Sequence, residues 1–252
     1  MKRARIFHNG SALWGTLIDN DAALQLGSGE VVPAADARWL APITPGATIF
    51  ALGLNYSDHA KELGFKKREP PLVFLKGPNA LVGHLGETVR PVDGNQMHPE
   101  CELVAIIGKS ARRVRADDAL DYVGGYTVAC DYAIREYLEN YYRPNLAVKN
   151  RDAATPLGPW IVDAADIGNP QNLRLHTTVN GTMVQEGSTA DMILDVASLI
   201  AYLSETMTLM PGDMILTGTP QGVHFCAAGD EVVCEIEGVG RLINHLVAEI
   251  GR

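Results

Sequence analysis

Short apolar stretches, interrupted by Gly, Pro and Asn, recur along most of the chain and have the composition of β-strands. Near the N-terminus, the stretches 4–7 and 12–18 flank Asn9-Gly10, a dipeptide typical of tight hairpins. Asn180-Gly181 predicts a second hairpin. The remaining strands are predicted over 72–75, 102–107, 125–130, 160–162, 173–179, 182–185, 214–216 and 231–236. The pattern therefore predicts a protein built mainly from strands.

Helical periodicity is confined to fewer segments. The clearest helix is predicted over 191–208, where apolar residues recur at helical spacing before a Pro-Gly pair. Shorter helices are predicted over 57–63, ending at Gly64, and over 134–142, ending before Pro144. Because strands outnumber helices without regular β-α-β alternation, we expect a β-rich α+β fold rather than a doubly wound sheet.

A cluster of turn-forming residues divides the chain into two unequal parts. Pro42 and Pro45-Gly46 precede the apolar run 49–54. We therefore predict a small N-terminal β region over 1–45 and a main domain over 46–252.

Net charge, apolar runs and cysteine content indicate which classes of partner and which cellular compartment to expect. The formal net charge is −9, which disfavours binding to nucleic acid, because phosphate neutralisation needs clustered Lys and Arg. The short basic run 112–115 is predicted to be a solvated turn. The N-terminus has no apolar signal core, and no apolar run is long enough to span a membrane. The four cysteines form no C-x-x-C pair, so we expect reduced thiols in a cytoplasmic protein. From the charge and the apolar runs we expect it to bind neither membrane nor nucleic acid.

The stretch from His98 to Gly108 carries the first candidate chemistry. If it is a strand, Glu100 and Glu102 share a face, because side chains alternate. Asp131 follows another predicted strand. Taken alone, the glutamates also fit a solvated strand face and Asp131 fits a helix cap. As a set, with His98 contributing at most one nitrogen and no paired thiolates nearby, three carboxylates suit Mg²⁺ or Mn²⁺ better than Zn²⁺.

An ordered series of motifs resembles the fumarylacetoacetate hydrolase family. The series begins with a G-x-N-Y-x-x-H-x-x-E pattern over 53–62 and continues through Glu100-x-Glu102 and the stretch ending at Asp131. It then includes Lys149 ahead of a Pro-Leu-Gly-Pro run and a Thr-Gly-Thr-Pro turn at 217–220. The resemblance extends from about Thr48 to the C-terminus. It implies the family's C-terminal-domain-like fold, with mixed sheets and few helices.

Within that family, 137–145 and 148–152 look most similar to the isomerase/decarboxylase branch of 4-hydroxyphenylacetate (homoprotocatechuate) degradation. The branch implies two reactions. One is decarboxylation of 5-oxopent-3-ene-1,2,5-tricarboxylate, and the other is isomerisation of 2-hydroxyhepta-2,4-diene-1,7-dioate to its 2-oxo tautomer. That branch often fuses two such domains, whereas this sequence has one.

The resemblance also implies roles for individual residues. Glu100, Glu102 and Asp131 would hold the cation, which would act as a Lewis acid on a small anionic 2-oxo or enol carboxylate. Lys149 would stabilise the negative charge that develops. The residues implied at the substrate are Asn55, Thr217, Gly218 and Thr219. Candidates for a distal substrate carboxylate are Lys76, Arg135, Arg143 and Arg151.

His59 and Glu62 lie three residues apart on the predicted helix over 57–63, so they share a face. We predict that they form an acid–base pair on a lid that includes the polar segment 64–71.

Other functions remain open at this point. The His59-x-x-Glu62 pair also suits water activation, as in an acylpyruvate hydrolase, and the metal site also suits an oxaloacetate decarboxylase. A β-rich binding protein without catalysis is the alternative of another class. We expect a homodimer or larger homo-oligomer, with a companion-domain protein as a further candidate partner.

Overall fold

The computed structural model describes residues 1–62, 71–138 and 145–250, with the side chains of 59–61 excepted. The predicted lid segment up to residue 70 lies outside the described residues. The last part of the helix predicted over 134–142 also lies outside them.

Strands carry most of the described fold. They are β1 (Lys2–His8), β2 (Ser11–Ile18), β3 (Ala23–Leu26), β4 (Val31–Pro33), β5 (Arg38–Leu40), β6 (Ile49–Gly53), β7 (Leu72–Leu75), β8 (Leu81–Val82), β9 (Gly86–Arg90), β10 (Met97–His98), β11 (Cys101–Ile107), β12 (Val123–Cys130), β13 (Ala133–Ile134), β14 (Thr155–Asp163), β15 (Arg174–Val179), β16 (Thr182–Ser188), β17 (Met214–Leu216), β18 (Glu231–Ile236) and β19 (Gly240–Ala248). The α-helices are α1 (Ser57–Glu62), α2 (Leu146–Lys149) and α3 (Val196–Thr206). None of these helices has the length and apolar character needed to cross a membrane.

The strands form two large sheets and one small one. A twelve-stranded sheet has the order β4-β3-β2-β1-β14-β12-β11-β17-β6-β7, with β5 paired to β1 and β8 paired to β14. A five-stranded sheet has the order β16-β15-β18-β19-β9, and β10 pairs with β13. Parallel pairs, such as β17 with β6, occur among antiparallel ones. The predicted β-rich α+β fold with mixed sheets is therefore confirmed.

Both predicted Asn-Gly hairpins are present. Asn9 and Gly10 have φ of 48° and 79°, and Asn180 and Gly181 have φ of 51° and 78°. Two successive positive φ angles match the twist of antiparallel strands, which explains the Asn-Gly preference. The N-terminal hairpin joins the twelve-stranded sheet through the pairing of β1 with β14.

Two helix predictions are wrong in their bounds. The helix predicted over 191–208 begins only at Val196, where Asp195 caps it by accepting a hydrogen bond from Ser198 N at 2.7 Å. The residues before it are fixed by Asn55, as the next subsection describes. Where the chain is described, 134–138 is not α-helical: Ile134 pairs in β13, and a single 3₁₀ turn follows over Arg135–Tyr137.

Strand β11 is the centre of the core, and every residue of it is buried. Leu103, Ala105 and Ile107 pack into one apolar cluster, which includes residues of α3 and the five-stranded sheet. Val104 and Ile106 pack into a second cluster on the opposite face. Because both faces are covered, the strand is apolar at nearly every position, and the polar residues at its start stand out.

Candidate metal centre and substrate site

Three carboxylates lie close together at the point where β11 begins and β12 ends. Strands β11 and β12 are antiparallel with Cys101 opposite Cys130, so the start of β11 lies beside the end of β12. Asp131 N donates to Glu100 O at 2.9 Å and continues this pairing. One carboxylate oxygen each of Glu100, Glu102 and Asp131 lies within 4.8 Å of the others. The pairing thus brings together residues that are about thirty positions apart in sequence.

The carboxylate cluster is buried and electrostatically unfavourable without positive charge. Glu100 is 7% exposed, Glu102 1% and Asp131 0%. Burial raises the pKa of Glu102 well above its usual value, and the charges of Asp131 and Glu100 raise it further. Asp131 Oδ2 is buried and, although Lys149 Nζ lies 3.0 Å away, accepts no well-aligned hydrogen bond from the described residues. Oxygen ligands of this kind fit a hard divalent cation, so the cluster can hold a metal.

Two lysines bracket Asp131. Lys149 Nζ, at the end of α2, lies 2.5 Å from Glu100 Oε2 and 3.0 Å from Asp131 Oδ2. Lys76 Nζ, just after β7, lies 2.5 Å from Asp131 Oδ1 and also donates to Lys149 O. The side chain of Lys76 is fully buried. Lys76 therefore contacts one carboxylate of this cluster directly.

The two lysines differ in the direction of their pKa shifts. Burial lowers the pKa of Lys76, and the charge of Lys149 lowers it further, against the opposing effect of Asp131. Burial also acts to lower the pKa of Lys149, but Asp131, Glu100 and Glu102 together outweigh it and raise that pKa. Lys149 is thus the more firmly charged of the two, because it faces three carboxylates.

Arg135 and His98 form a second contact with the cluster. Arg135 Nη2 donates to Glu100 Oε1 at 3.2 Å, and Arg135 Nε donates to His98 Nε2 at 2.8 Å. Because Nε2 accepts this bond, the hydrogen-bond network assigns the ring proton to Nδ1. His98 is therefore engaged by Arg135 and does not belong to the group of three oxygen ligands.

The predicted substrate turn follows β17 and touches the metal site. Gly218 N donates to Glu102 Oε2 at 2.7 Å, and Thr217 Oγ1 donates to Leu103 O at 2.9 Å. Gly218 has a φ of +88°, and a Cβ at this position would lie 3.0 Å from Asn55 Cβ. The turn therefore requires glycine, and its backbone orients Glu102.

Asn55 supports this turn from behind. Its Nδ2 donates to Thr217 O at 2.8 Å and to Leu194 O at 2.9 Å, while its Oδ1 accepts from Leu194 N. Its own carbonyl accepts from Ile193 N at 2.7 Å. The side chain is 5% exposed, so the described structure gives Asn55 a supporting position in the site.

Helix α1 carries the predicted acid–base pair. Glu62 accepts hydrogen bonds from Gly222 N and Val223 N at 3.1 Å each, in the loop that follows the 217–220 turn. The end of α1 is thereby joined to the polypeptide next to the metal site. The side chain of His59 lies outside the described residues, so its pairing with Glu62 stays a prediction.

The other candidates for a distal carboxylate lie in different surroundings. Arg151 Nη2 lies 3.9 Å from Glu249 Oε1, and its guanidinium stacks 5.5 Å from the Tyr137 ring centroid. Arg143 lies outside the described residues.

Sequence reasoning missed Gln185, which is buried between the 217–220 turn and β11, because no local motif marks it.

A surface cavity of about 770 Å³ lies elsewhere, beside β5 and β8. Arg5, Trp39 and His84 help to line it, and none of the carboxylates or lysines described above does. Burial lowers the pKa of His84 to about 4. The chemically equipped site is therefore not at this cavity.

Comparisons with known proteins find related sequences over most of the chain. The family model for the fumarylacetoacetate (FAA) hydrolase C-terminal domain matches residues 48–247. The 4-hydroxyphenylacetate degradation bifunctional isomerase/decarboxylase of Escherichia coli is 61% identical over 205 residues, which are 81% of this chain and 48% of that protein. The chain thus spans about half the length of the curated relatives it matches.

Two solved structures extend the comparison. The 5-carboxymethyl-2-hydroxymuconate delta-isomerase of Mycobacterium smegmatis is 34% identical with a TM-score of 0.87, and the match covers 100% of both chains. The fumarylpyruvate hydrolase of Pseudomonas aeruginosa, solved with Mn²⁺ and pyruvate, is 32% identical with a TM-score of 0.75. That match covers 83% of this chain and 91% of the hydrolase.

Proposed function

The chain belongs to the fumarylacetoacetate hydrolase family, and from that premise we propose that it is a metal-dependent isomerase and decarboxylase of small 2-oxo or enolic carboxylic acids. The substrates proposed are 2-hydroxyhepta-2,4-diene-1,7-dioate for isomerisation and 5-oxopent-3-ene-1,2,5-tricarboxylate for decarboxylation. The observation that carries the proposal is the buried group of three carboxylates bracketed by two lysines.

Glu100, Glu102 and Asp131 are the residues that would hold the cation, Mg²⁺ or Mn²⁺. When bound, such a cation supplies a Lewis acid that draws negative charge from a substrate oxygen. The donor set contains only oxygen, which suits these two ions. The Mn²⁺ in the structure of the Pseudomonas aeruginosa relative supports the same assignment.

The chain's own residues orient and balance this site. Gly218 N fixes one oxygen of Glu102, and Lys76 fixes one oxygen of Asp131. Lys149 brings a second ammonium beside Asp131, where it can stabilise negative charge that develops on the substrate. We assign to His59, oriented by Glu62, the transfer of a proton to or from the substrate carbon. The hydrogen bonds of Glu62 to Gly222 and Val223 support this assignment, because they hold α1 beside the substrate turn.

Arg135 is the proposed contact for a distal substrate carboxylate. Its side chain is 19% exposed, and it already reaches the site through Glu100. Its Nε and Nη2 donate to His98 and Glu100, which leaves Nη1 without a hydrogen-bond partner among the described residues. Lys76 is instead committed to Asp131.

A second candidate function is hydrolysis of an acylpyruvate. The similarity to a fumarylpyruvate hydrolase and the His59-x-x-Glu62 pair favour it, because such a pair can activate water. Oxaloacetate decarboxylation and a non-catalytic binding role remain the further alternatives.

A substrate panel with added Mg²⁺ separates these functions. The purified protein would receive the two proposed substrates, fumarylpyruvate and oxaloacetate, each with Mg²⁺ and with EDTA. We expect Mg²⁺-dependent isomerisation and decarboxylation of the first two. Turnover of fumarylpyruvate alone would favour the hydrolase, and no turnover of any compound would favour the binding protein.

We also propose a homo-oligomer in the cytoplasm, with a companion-domain protein as a partner. All four cysteines are buried and free, as expected for a reducing compartment. The match covers only 48% of the relative from Escherichia coli, which supports a companion domain. Light scattering should show a dimer or larger assembly, and a stable monomer would contradict this proposal.

A further inference from the structure

We propose that Gln185, on β16 of the five-stranded sheet, is a positioning residue that presents the Thr219 hydroxyl as a hydrogen-bond donor to the substrate carboxylate. The inference rests on the proposed function, because it needs a carboxylate ligand at the metal site. Gln185 belongs to a different sheet from the strands that carry Glu102 and the 217–220 turn. It would therefore couple the second sheet to substrate recognition.

Gln185 uses its whole hydrogen-bonding capacity inside the protein. It is 4% exposed. Its Nε2 donates to Thr219 Oγ1 and to Pro220 O, at 2.9 Å each. Its Oε1 accepts from Thr177 Oγ1 at 2.9 Å and from Cys101 N at 3.3 Å. One side chain thus connects β15, the start of β11 and the substrate turn.

These partners fix which way the amide of Gln185 points. Pro220 O can only accept a hydrogen bond, so the group facing it must be the NH₂. Cys101 N can only donate, so the group facing it must be the carbonyl oxygen. A flipped amide would set its NH₂ against Cys101 N and its oxygen against Pro220 O, whereas the two threonine hydroxyls could adapt to either orientation. The orientation therefore follows from the partners.

The consequence falls on the Thr219 hydroxyl. Because Thr219 Oγ1 accepts from Gln185 Nε2, its own proton is directed to another acceptor. The described contacts give this proton no acceptor, although the side chain is 3% exposed. A carboxylate of the substrate is an acceptor of the right chemistry.

The neighbouring donors of the turn are already committed. Thr217 Oγ1 donates to Leu103 O, and Gly218 N donates to Glu102 Oε2. Thr219 is therefore the residue of the predicted substrate turn whose side-chain donor is left for a ligand.

The turn lies directly on β16, which leaves little freedom for this arrangement. A Cβ at Gly187 would lie 2.6 Å from Pro220 Cβ. A Cβ at Gly222 would lie 2.9 Å from both Gln185 Cβ and Val184 O. The turn and β16 can approach this closely only because both positions are glycine. These two contacts consequently hold the substrate turn against the part of β16 that carries Gln185.

The test is a double-mutant cycle read by ligand binding. Pyruvate is titrated calorimetrically into protein saturated with Mg²⁺, for wild type, Gln185→Met, Thr219→Val and the double variant. Hydrogen bonds to charged groups are typically strong enough that Thr219→Val should weaken binding about ten-fold or more. Gln185→Met should weaken it several-fold, roughly 3–10-fold, since the hydroxyl remains but is no longer oriented. In the Thr219→Val background, Gln185→Met should have almost no further effect.

Two further variants separate positioning from a general loss of structure. Gln185→Glu keeps the shape and the accepting oxygen but has no NH₂, so it should weaken pyruvate binding as Gln185→Met does, even if the Met variant folds poorly. Thr177→Val removes a bond at the other end of Gln185 and should leave pyruvate affinity within about two-fold of wild type. Mg²⁺ affinity, measured separately, should be retained in the Gln185 variants.

Three results would overturn the inference. The first is an equal effect of the Gln185 substitution in both Thr219 backgrounds, and the second is no effect in either. The third is a wild-type protein that does not bind pyruvate at all. Because binding is read without turnover, wild-type protein that binds pyruvate but converts no panel substrate would count against the proposed function alone.

Discussion

The contact between Lys76 and Asp131 gives the sharpest prediction of stability. Lys76→Met keeps most of the side-chain volume but removes the ammonium that lies 2.5 Å from Asp131 Oδ1. Both side chains are almost completely buried. Asp131 would keep Lys149 on its other oxygen, but it would lose one of its two cationic partners.

The expected magnitude follows from the burial of this pair. Removing one partner of a buried ion pair typically costs about 3–5 kcal/mol, because the remaining charge cannot be solvated. The lower end applies here, since burial already lowers the pKa of Lys76 and Lys149 partly compensates Asp131. For a chain of this length, about 3 kcal/mol corresponds to a fall in Tm of roughly 6–12 °C. A bound cation should reduce the loss to about 1–2 kcal/mol, because Asp131 then has another positive partner.

Urea unfolding of wild type and Lys76→Met, with EDTA and with Mg²⁺, measures this difference. Lys109→Met is the matched control, since Lys109 is exposed and should change stability by less than about 0.5 kcal/mol. In EDTA, adding Asp131→Asn to Lys76→Met should recover much of the loss, because no unpaired charge remains. A loss below about 1 kcal/mol in EDTA, or an equal loss with and without Mg²⁺, would refute the reasoning.

Three other predictions concern the metal and the reaction. Burial and neighbouring carboxylates raise the pKa of Glu102, so the metal-free fold loses stability as pH rises from about 4.5 towards that raised pKa. The increase in Tm on adding Mg²⁺ should therefore grow with pH. An increase that does not depend on pH would contradict this prediction. Gly218→Ala should destabilise the fold by about 1–2 kcal/mol through its positive φ and should weaken Mg²⁺ binding through Glu102, both measurable by thermal shift and calorimetry. His59→Ala should lower kcat by about 10²–10⁴ with Mg²⁺ affinity unchanged, and wild-type kcat in both His59→Ala and Glu62→Ala would exclude the acid–base pair.

The carboxylate site could be predicted from sequence to the extent that local geometry determines it. The period of two in a strand places Glu100 and Glu102 on one face whatever the strand pairs with. Asp131 is different, because only the register of β11 against β12 brings it to the glutamates. The grouping of Asp131 with the two glutamates could be predicted only from the motif resemblance.

Other features depend on contacts between distant segments, and the sequence does not encode them locally. Lys76 was predicted only as a candidate for a distal carboxylate, yet it contacts Asp131, which is 55 residues away. The start of the helix predicted at 191 was wrong because Asn55 fixes Ile193 and Leu194 in a non-helical bend. Tertiary hydrogen bonds here override helical periodicity.

Gln185 had a weaker local signal. It is the one residue of β16 that is buried, so a long amide occupies an inward-facing position of that strand. An inward polar residue in an edge strand indicates a satisfied network, but its partners on β11, β15 and the substrate turn are recognisable only in the folded chain.

Isomerisation in D₂O tests most directly whether the three carboxylates serve enol chemistry. ¹H NMR would follow conversion of 2-hydroxyhepta-2,4-diene-1,7-dioate to its 2-oxo tautomer, with diamagnetic Mg²⁺ as the cation. Wild type with Mg²⁺ should accelerate the conversion and place deuterium at the carbon that receives the proton. EDTA-treated wild type and Glu102→Gln with Mg²⁺ should both fall to the uncatalysed rate. Full acceleration by the metal-free protein or by Glu102→Gln would contradict the central role of Glu100, Glu102 and Asp131.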